Sequence, residues 1–144
     1  MDTDLIIYIC DDNAQDIAVI EKFLHWDKHV RTEHFTSGEQ LLSTLLGHQP
    51  DLLILDIFMP GLDGIATLKR IRQLAPDLPV ALASSSDEFA MDGYRLHALR
   101  YLEKPFRPED VHELLLCLRH SQHRRPVLQV GREAAIPLSA IAYL

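Results

Sequence analysis

The chain has 144 residues, 47% of them hydrophobic, which suits one ordinary domain with a substantial core and a small appendage. Its 21 acidic residues outnumber 14 basic ones, and the formal charge of −7 argues against a dominant nucleic-acid or anionic-membrane surface on these residues. No apolar run nears the roughly 20 residues that span a bilayer, and Asp2 and Asp4 stand where a secretory signal would be basic, so a cytoplasmic chain with no membrane contact is expected.

Leu5 to Cys10 is a continuous apolar run closed by Asp11 and Asp12, the pattern of a strand buried on both faces that ends at a polar site. Ile17, Ile20 and Leu24 then recur at helical spacing, and His29 to Phe35 alternates as a shorter, more exposed strand. Ser37 and Gln40 have capping-box spacing before the helical Leu41, Leu42, Leu45 and Leu46. Leu52 to Leu55 is a second buried-strand run ending in an aspartate, Asp56. It leads through Met59-Pro60-Gly61 into a helix carrying Ile65, Leu68 and Ile71. Pro79 to Ala83 ends at Ser84, Ser85 and Ser86; a short helix over Phe89 to Leu96 and a strand over Leu99 to Leu102 lead to Lys104-Pro105. The last helix opens at Pro108, with Glu109 and Asp110 where the helix dipole favours anions, and buries Val111, Leu114, Leu115 and Leu118.

Five strands alternating with five helices predict an α/β fold: a doubly wound parallel sheet with helices on both faces and right-handed crossovers. Ligands of such sheets bind beyond the carboxyl ends of the strands, where this sequence carries Asp11, Asp12, Asp56, Ser84 and Lys104. Singly, each aspartate is a common cap or turn residue; at successive strand exits they read as one site. Three carboxylates in a small cleft repel one another unless a cation neutralises them, and oxygen ligands without His or Cys favour Mg²⁺. Asp56 then becomes a carboxylate nucleophile for a phosphoryl group, with Lys104 offering charge to its oxygens and Ser84 a hydrogen bond. A cis bond at Pro105 would aim Lys104 inward. Gly64 reads as a close-packing residue near the site. Cys10 and Cys117 lie in apolar segments and read as buried, reduced thiols, and the eight histidines show no ligand spacing.

Asp11-Asp12 after the first strand, the segment LDIFMPGLDG around Asp56, the Ser84 hydroxyl, and Tyr101 three residues before Lys104-Pro105 together resemble the receiver domains of response regulators. The resemblance covers about residues 4 to 120. It implies a flavodoxin-like strand order 2-1-3-4-5 and a sensor histidine kinase as phosphoryl donor to Asp56. It further implies Asp12 and Asp56 as direct Mg²⁺ ligands, Asp11 acting largely through water, and the backbone carbonyl of Phe58 as a further ligand. Ser84 and Tyr101 would be the switch pair, altering the surface around the fourth helix and fifth strand, and a homodimer through the face of the fourth helix, fifth strand and fifth helix is the analogous expectation. Such a chain is not a turnover enzyme; it catalyses only its own phosphotransfer and dephosphorylation. Phe58, two residues after Asp56, and Ser86, two after Ser84, depart from the commonest small or polar choices there, and bulky Phe58 would restrict a hydrolytic water.

The receiver is expected to span residues 1–120, followed by a polar, basic linker at 121–126. Residues 127–144, with strand-like VLQV, a GREA turn and AIPL, form a short C-terminal β extension that resembles the opening of a LytTR-type DNA-binding module. A chain ending on apolar Ile141 to Leu144 reads as cut within that second domain, so that DNA contact lies in a region mostly absent here. Transcription control is the leading output. The alternatives are a stand-alone receiver acting by protein–protein binding and a phosphatase-like enzyme using an aspartyl phosphate.

Overall fold

The computed structural model describes residues 4–130, with side chains described for 4–121. Strands β1 (Leu5–Cys10), β2 (Val30–Phe35), β3 (Leu52–Asp56), β4 (Val80–Ser84) and β5 (Arg100–Glu103) alternate with helices α1 (Ala14–Leu24), α2 (Gly38–Leu45), α3 (Gly64–Leu74), α4 (Ala90–Arg95) and α5 (Pro108–Val130). All neighbouring strands pair in parallel, in the order β2-β1-β3-β4-β5. This is the expected flavodoxin-like sheet. Every residue of β3 and β4 is buried, which is why both read as unbroken apolar runs; edge strands β2 and β5 carry exposed positions.

The helices begin where short polar side chains offer acceptors to free backbone donors. Asn13 caps α1 by accepting from the Gln15 and Asp16 amides, Ser37 caps α2 through Gln40, and Asp63 caps α3 through Ala66. The anticipated capping box at Ser37 is half formed, because Gln40 accepts instead from the Thr36 amide, one residue before the cap. Helix α4 has only six residues and no side-chain cap. Tyr8, Cys10, Leu53, Leu55, Leu68, Ile71 and Leu82 belong to one buried apolar cluster that ties β1, β3 and β4 to α3.

The order runs from β2 back to β1 and then on to β3, so the carboxyl ends of β1 and β3 border the point where sheet growth reverses. Asp11 follows β1 directly and Asp56 closes β3.

The chain divides into two units between His112 and Glu113, within α5. The first holds the whole sheet and α1 to α4. In the second, α5 continues to Val130, with Leu114, Leu115 and Leu118 buried and Leu116 exposed. This corrects the secondary structure expected for 121–130: the basic stretch taken as a linker and the strand-like VLQV are both helical. Residues 119–125 contain no glycine, and extending an existing helix adds one hydrogen bond per ordered residue; α5 also runs through Pro126, whose missing N–H removes one such bond. Residues 131–144, including the expected turn and the AIPL strand, lie outside the described residues. Cys117 is half-buried rather than buried; both cysteines are free. Among the described residues no helix is long and apolar enough to cross a membrane.

Candidate functional site

Four of the five groups that the sequence places at strand exits, Asp11, Asp12, Asp56 and Lys104, line one cleft of about 390 Å³ together with Asn13, Asp16, Phe58, Ser85 and Pro105. Carboxylate oxygens of Asp11, Asp12 and Asp56 lie within 4.8 Å of one another. Asp11 and Asp56 are each only 4% exposed, whereas Asp12 faces solvent. Backbone geometry holds the buried pair in place: Asp11 Oδ1 accepts the Asn13 amide at 2.9 Å, and Asp56 pairs across the sheet with Ala83.

Lys104 is the cationic centre. Its Nζ donates to Asp16 Oδ2 at 2.8 Å and Asp11 Oδ2 at 2.9 Å, and lies 3.1 Å from Asp56 Oδ1. Its amide donates to the Ser84 carbonyl at 2.8 Å, and its bond to Pro105 is cis, as the sequence reading had considered. Burial alone would lower the pKa of the ammonium, but hydrogen bonds to Asp16 and Asp11 and the charge of Asp56 outweigh it and hold the value above that of a free lysine. Asp56 shows the opposite balance. Burial and the neighbouring Asp11 charge push its carboxyl up to about 6, despite the opposing pull of Lys104. A carboxylate that resists ionisation beside two others is the electrostatic signature of a site short of positive charge. An added divalent cation would correct it, and the all-oxygen donor set suits a hard ion.

Gly64 is explained by contact. A Cβ there would strike the Asp56 carbonyl oxygen and come within 2.7 Å of Ile57 Cα, so only glycine lets α3 begin this close to the end of β3. Its amide donates to the Ile57 carbonyl at 2.9 Å, anchoring the loop that bears Phe58. Phe58 is 48% exposed and meets Phe89 edge-on, with ring centroids 5.4 Å apart.

Ser84 and Tyr101 converge on one residue rather than on each other. The Ser84 hydroxyl is buried and accepts the Ser86 amide at 3.0 Å, while the Tyr101 hydroxyl donates to the Ser86 carbonyl at 2.6 Å. Ser85 lines the cleft in this arrangement and Ser84 does not. Asp16 escaped sequence reasoning altogether. Its signal was present: an acid in the first turn of a helix that starts two residues after the Asp11-Asp12 pair, and so on the rim of the same site.

Residues 7–116 match the family described as the response regulator receiver domain. The DNA-binding transcriptional regulator NtrC of Salmonella typhimurium is 39% identical over 103 residues, covering 70% of this chain and 22% of that protein. The positive alginate biosynthesis regulatory protein of Pseudomonas aeruginosa is 38% identical over 80 residues, covering 56% of this chain and 32% of that protein. This chain therefore spans about a fifth and about a third of the lengths of these two relatives. Among solved structures, the receiver domain of AraT, a response regulator from Geobacillus stearothermophilus, superposes with a TM-score of 0.75 at 27% identity, covering 85% of this chain and 98% of that one.

Proposed function

This chain belongs to the response regulator receiver family, and on that premise we propose that it accepts a phosphoryl group on Asp56 from a sensor histidine kinase and changes conformation to control an output. The observation that carries the reading is the convergence of Asp11, Asp12, Asp56 and Lys104 in one cleft at the reversal point of the sheet. An Asp56 oxygen attacks phosphorus as the bond to the donor histidine nitrogen breaks, and the electron pair leaves with the imidazole. Lys104, already beside Asp56, offers its charge to the phosphoryl oxygens.

Asp12 and Asp56, with the Phe58 carbonyl and with Asp11 acting through water, are the proposed Mg²⁺ holders. When bound, Mg²⁺ would screen the charge that accumulates between phosphoryl and carboxylate oxygens. Ser84 and Tyr101 are the proposed switch pair. Drawing the Ser84 hydroxyl towards a phosphoryl oxygen costs the Ser86 amide its acceptor, and Ser86 is also what holds the Tyr101 hydroxyl. A single local event thereby frees the aromatic ring and alters the surface around α4 and β5. Homodimerisation on that surface is the corresponding proposal.

The chain is read as a switch whose reactions are its own phosphotransfer and dephosphorylation, working in the cytoplasm. The likeness to NtrC, a DNA-binding transcriptional regulator, supports transcription control as the output. The acidic balance of this chain favours DNA contact by a separate region. A LytTR-type module that begins after α5 is the finer proposal and rests on the sequence pattern of 131–144 alone. The test is intact mass after brief incubation with Mg²⁺ and acetyl phosphate, quenched in acid. One phosphoryl adduct that needs Mg²⁺ and disappears in Asp56→Asn is the expected result; no adduct at any time overturns the reading.

A further inference from the structure

Lys104 has three N–H donors, and each has a carboxylate within reach: Asp16, Asp11 and Asp56. Two of these acceptors have other duties. Asp11 Oδ1 accepts the Asn13 amide, and Asp11 belongs with Asp12 and Asp56 to the carboxylate triad. Asp56 is the proposed phosphoryl acceptor. Asp16 stands outside the triad, and Lys104 is the sole hydrogen-bond partner of its carboxylate among the described residues. It also makes the shortest of the three contacts, at 2.8 Å.

The placement of Asp16 is built into the start of α1. Asn13 accepts from the amides of both Gln15 and Asp16, which locks the first turn and sets Asp16 on the cleft wall. Its side chain is 34% exposed against 15% for Lys104, so Asp16 can give up its partner and be solvated, whereas Lys104 always needs an acceptor.

We infer that Asp16 is a positioning residue that holds the Lys104 ammonium on the α1 side of the cleft and competes with the incoming phosphoryl group for it. The inference rests on the proposed phosphoacceptor reading of Asp56. An ammonium hydrogen-bonded to Asp16 and Asp11 and paired with Asp56 turns towards a phosphoryl oxygen at the expense of one of those charge-assisted contacts. Asp16 is the one carboxylate whose release leaves the triad intact.

The test is the rate of adduct formation with acetyl phosphate and Mg²⁺, followed by intact mass. In this reaction the phosphorus–oxygen bond to acetate breaks as the bond to Asp56 forms, and acetate leaves with the electron pair. Asp16→Asn, which keeps the shape and removes the charge, is expected to accelerate transfer roughly three- to tenfold. Asp16→Glu, which keeps the charge, should stay within about twofold of the original chain. The decisive arm is Asp16→Asn in a Lys104→Met background, where the acceleration should fall to less than about twofold if Asp16 acts through Lys104. Melting curves identify any variant that alters the fold, and Asp16→Ser then replaces Asp16→Asn. Equal acceleration with and without Lys104 would mean that Asp16 repels the donor directly, and overturns the inference. So does an unchanged or slower Asp16→Asn with an unaltered melting temperature. A normal adduct on the original chain with either of those results defeats this inference alone; no adduct on the original chain defeats the proposed function and this inference together.

Discussion

Asp56 carries opposing demands. Burial and Asp11 push its carboxyl up to about 6, so without metal the folded chain favours the protonated form more than the unfolded chain does. A raised folded-state pKa gives stability that is fully present below the ordinary carboxyl value of 3.8 and is lost as pH rises through about 6. Asp56→Asn mimics the neutral form at every pH. In metal-free buffer this variant should melt higher than the original chain at pH 7.5, and the difference should close towards pH 4; a variant that melts lower at pH 7.5 contradicts this account. Phe58 acts on a later event. Its ring stands half-exposed at the cleft and is braced by Phe89, a position from which it can exclude water from the acceptor. Phe58→Asn is expected to shorten the half-life of the phosphorylated chain several-fold, on the order of the gain from admitting one positioned water. An unchanged half-life after donor removal refutes the idea.

Two elements are held by close contacts between segments. The end of β3 and the start of α3 meet through Gly64, where an added methyl group meets backbone that cannot swing aside. Gly64→Ala should therefore cost about 1–3 kcal/mol in urea unfolding, the usual range for an overpacked site, and should displace Asp56 with it. Arg72, on the last turn of α3, donates to the carbonyls of Leu96 at 2.7 Å and Leu78 at 2.8 Å, and also to those of Ala75, Pro76 and His97. It pins the end of α4, a short helix without a side-chain cap, to the loop after α3. Arg72→Met keeps the aliphatic stem but strands those carbonyls, at a cost of about 1–3 kcal/mol. Amide exchange at residues 96–99 should accelerate; unchanged exchange there would show that α4 is held by other means. Strands β1, β3 and β4 were legible because burial on both faces demands unbroken apolar runs, and Asp11, Asp56 and Lys104 were legible because the fold places strand exits together. Asp16 and Arg72 were not legible, since their partners lie 88 and 24 residues away and a lone charged residue on a helix looks like any solvated one. The helical course of 121–130 was missed because a basic, polar stretch suits a linker and a helix extension equally well.

Across the molecule, the excess of acid gives formal charge −7, and the cleft concentrates part of it in three carboxylates and Asp16 around a single lysine. Binding a divalent cation there links the site to global stability, because a ligand held by the folded state alone shifts the unfolding equilibrium by mass action. At a Mg²⁺ concentration about a hundredfold above its dissociation constant, the gain is about 2.7 kcal/mol, or roughly 8–16 °C in melting temperature for a domain of this size. The sign of its pH dependence follows from Asp56. Below about 6 a proton occupies the carboxyl proposed as a metal ligand, so binding there would have to expel that proton and the affinity would fall by up to about tenfold per pH unit. The melting shift produced by a fixed Mg²⁺ concentration should therefore be largest at pH 7.5 and shrink markedly by pH 5. In Asp56→Asn, the part of the pH dependence belonging to that carboxyl should vanish along with most of the shift. A Mg²⁺-induced shift of equal size at pH 5 and pH 7.5 would place the metal away from Asp56 and detach the acidic cleft from the stability of the whole domain.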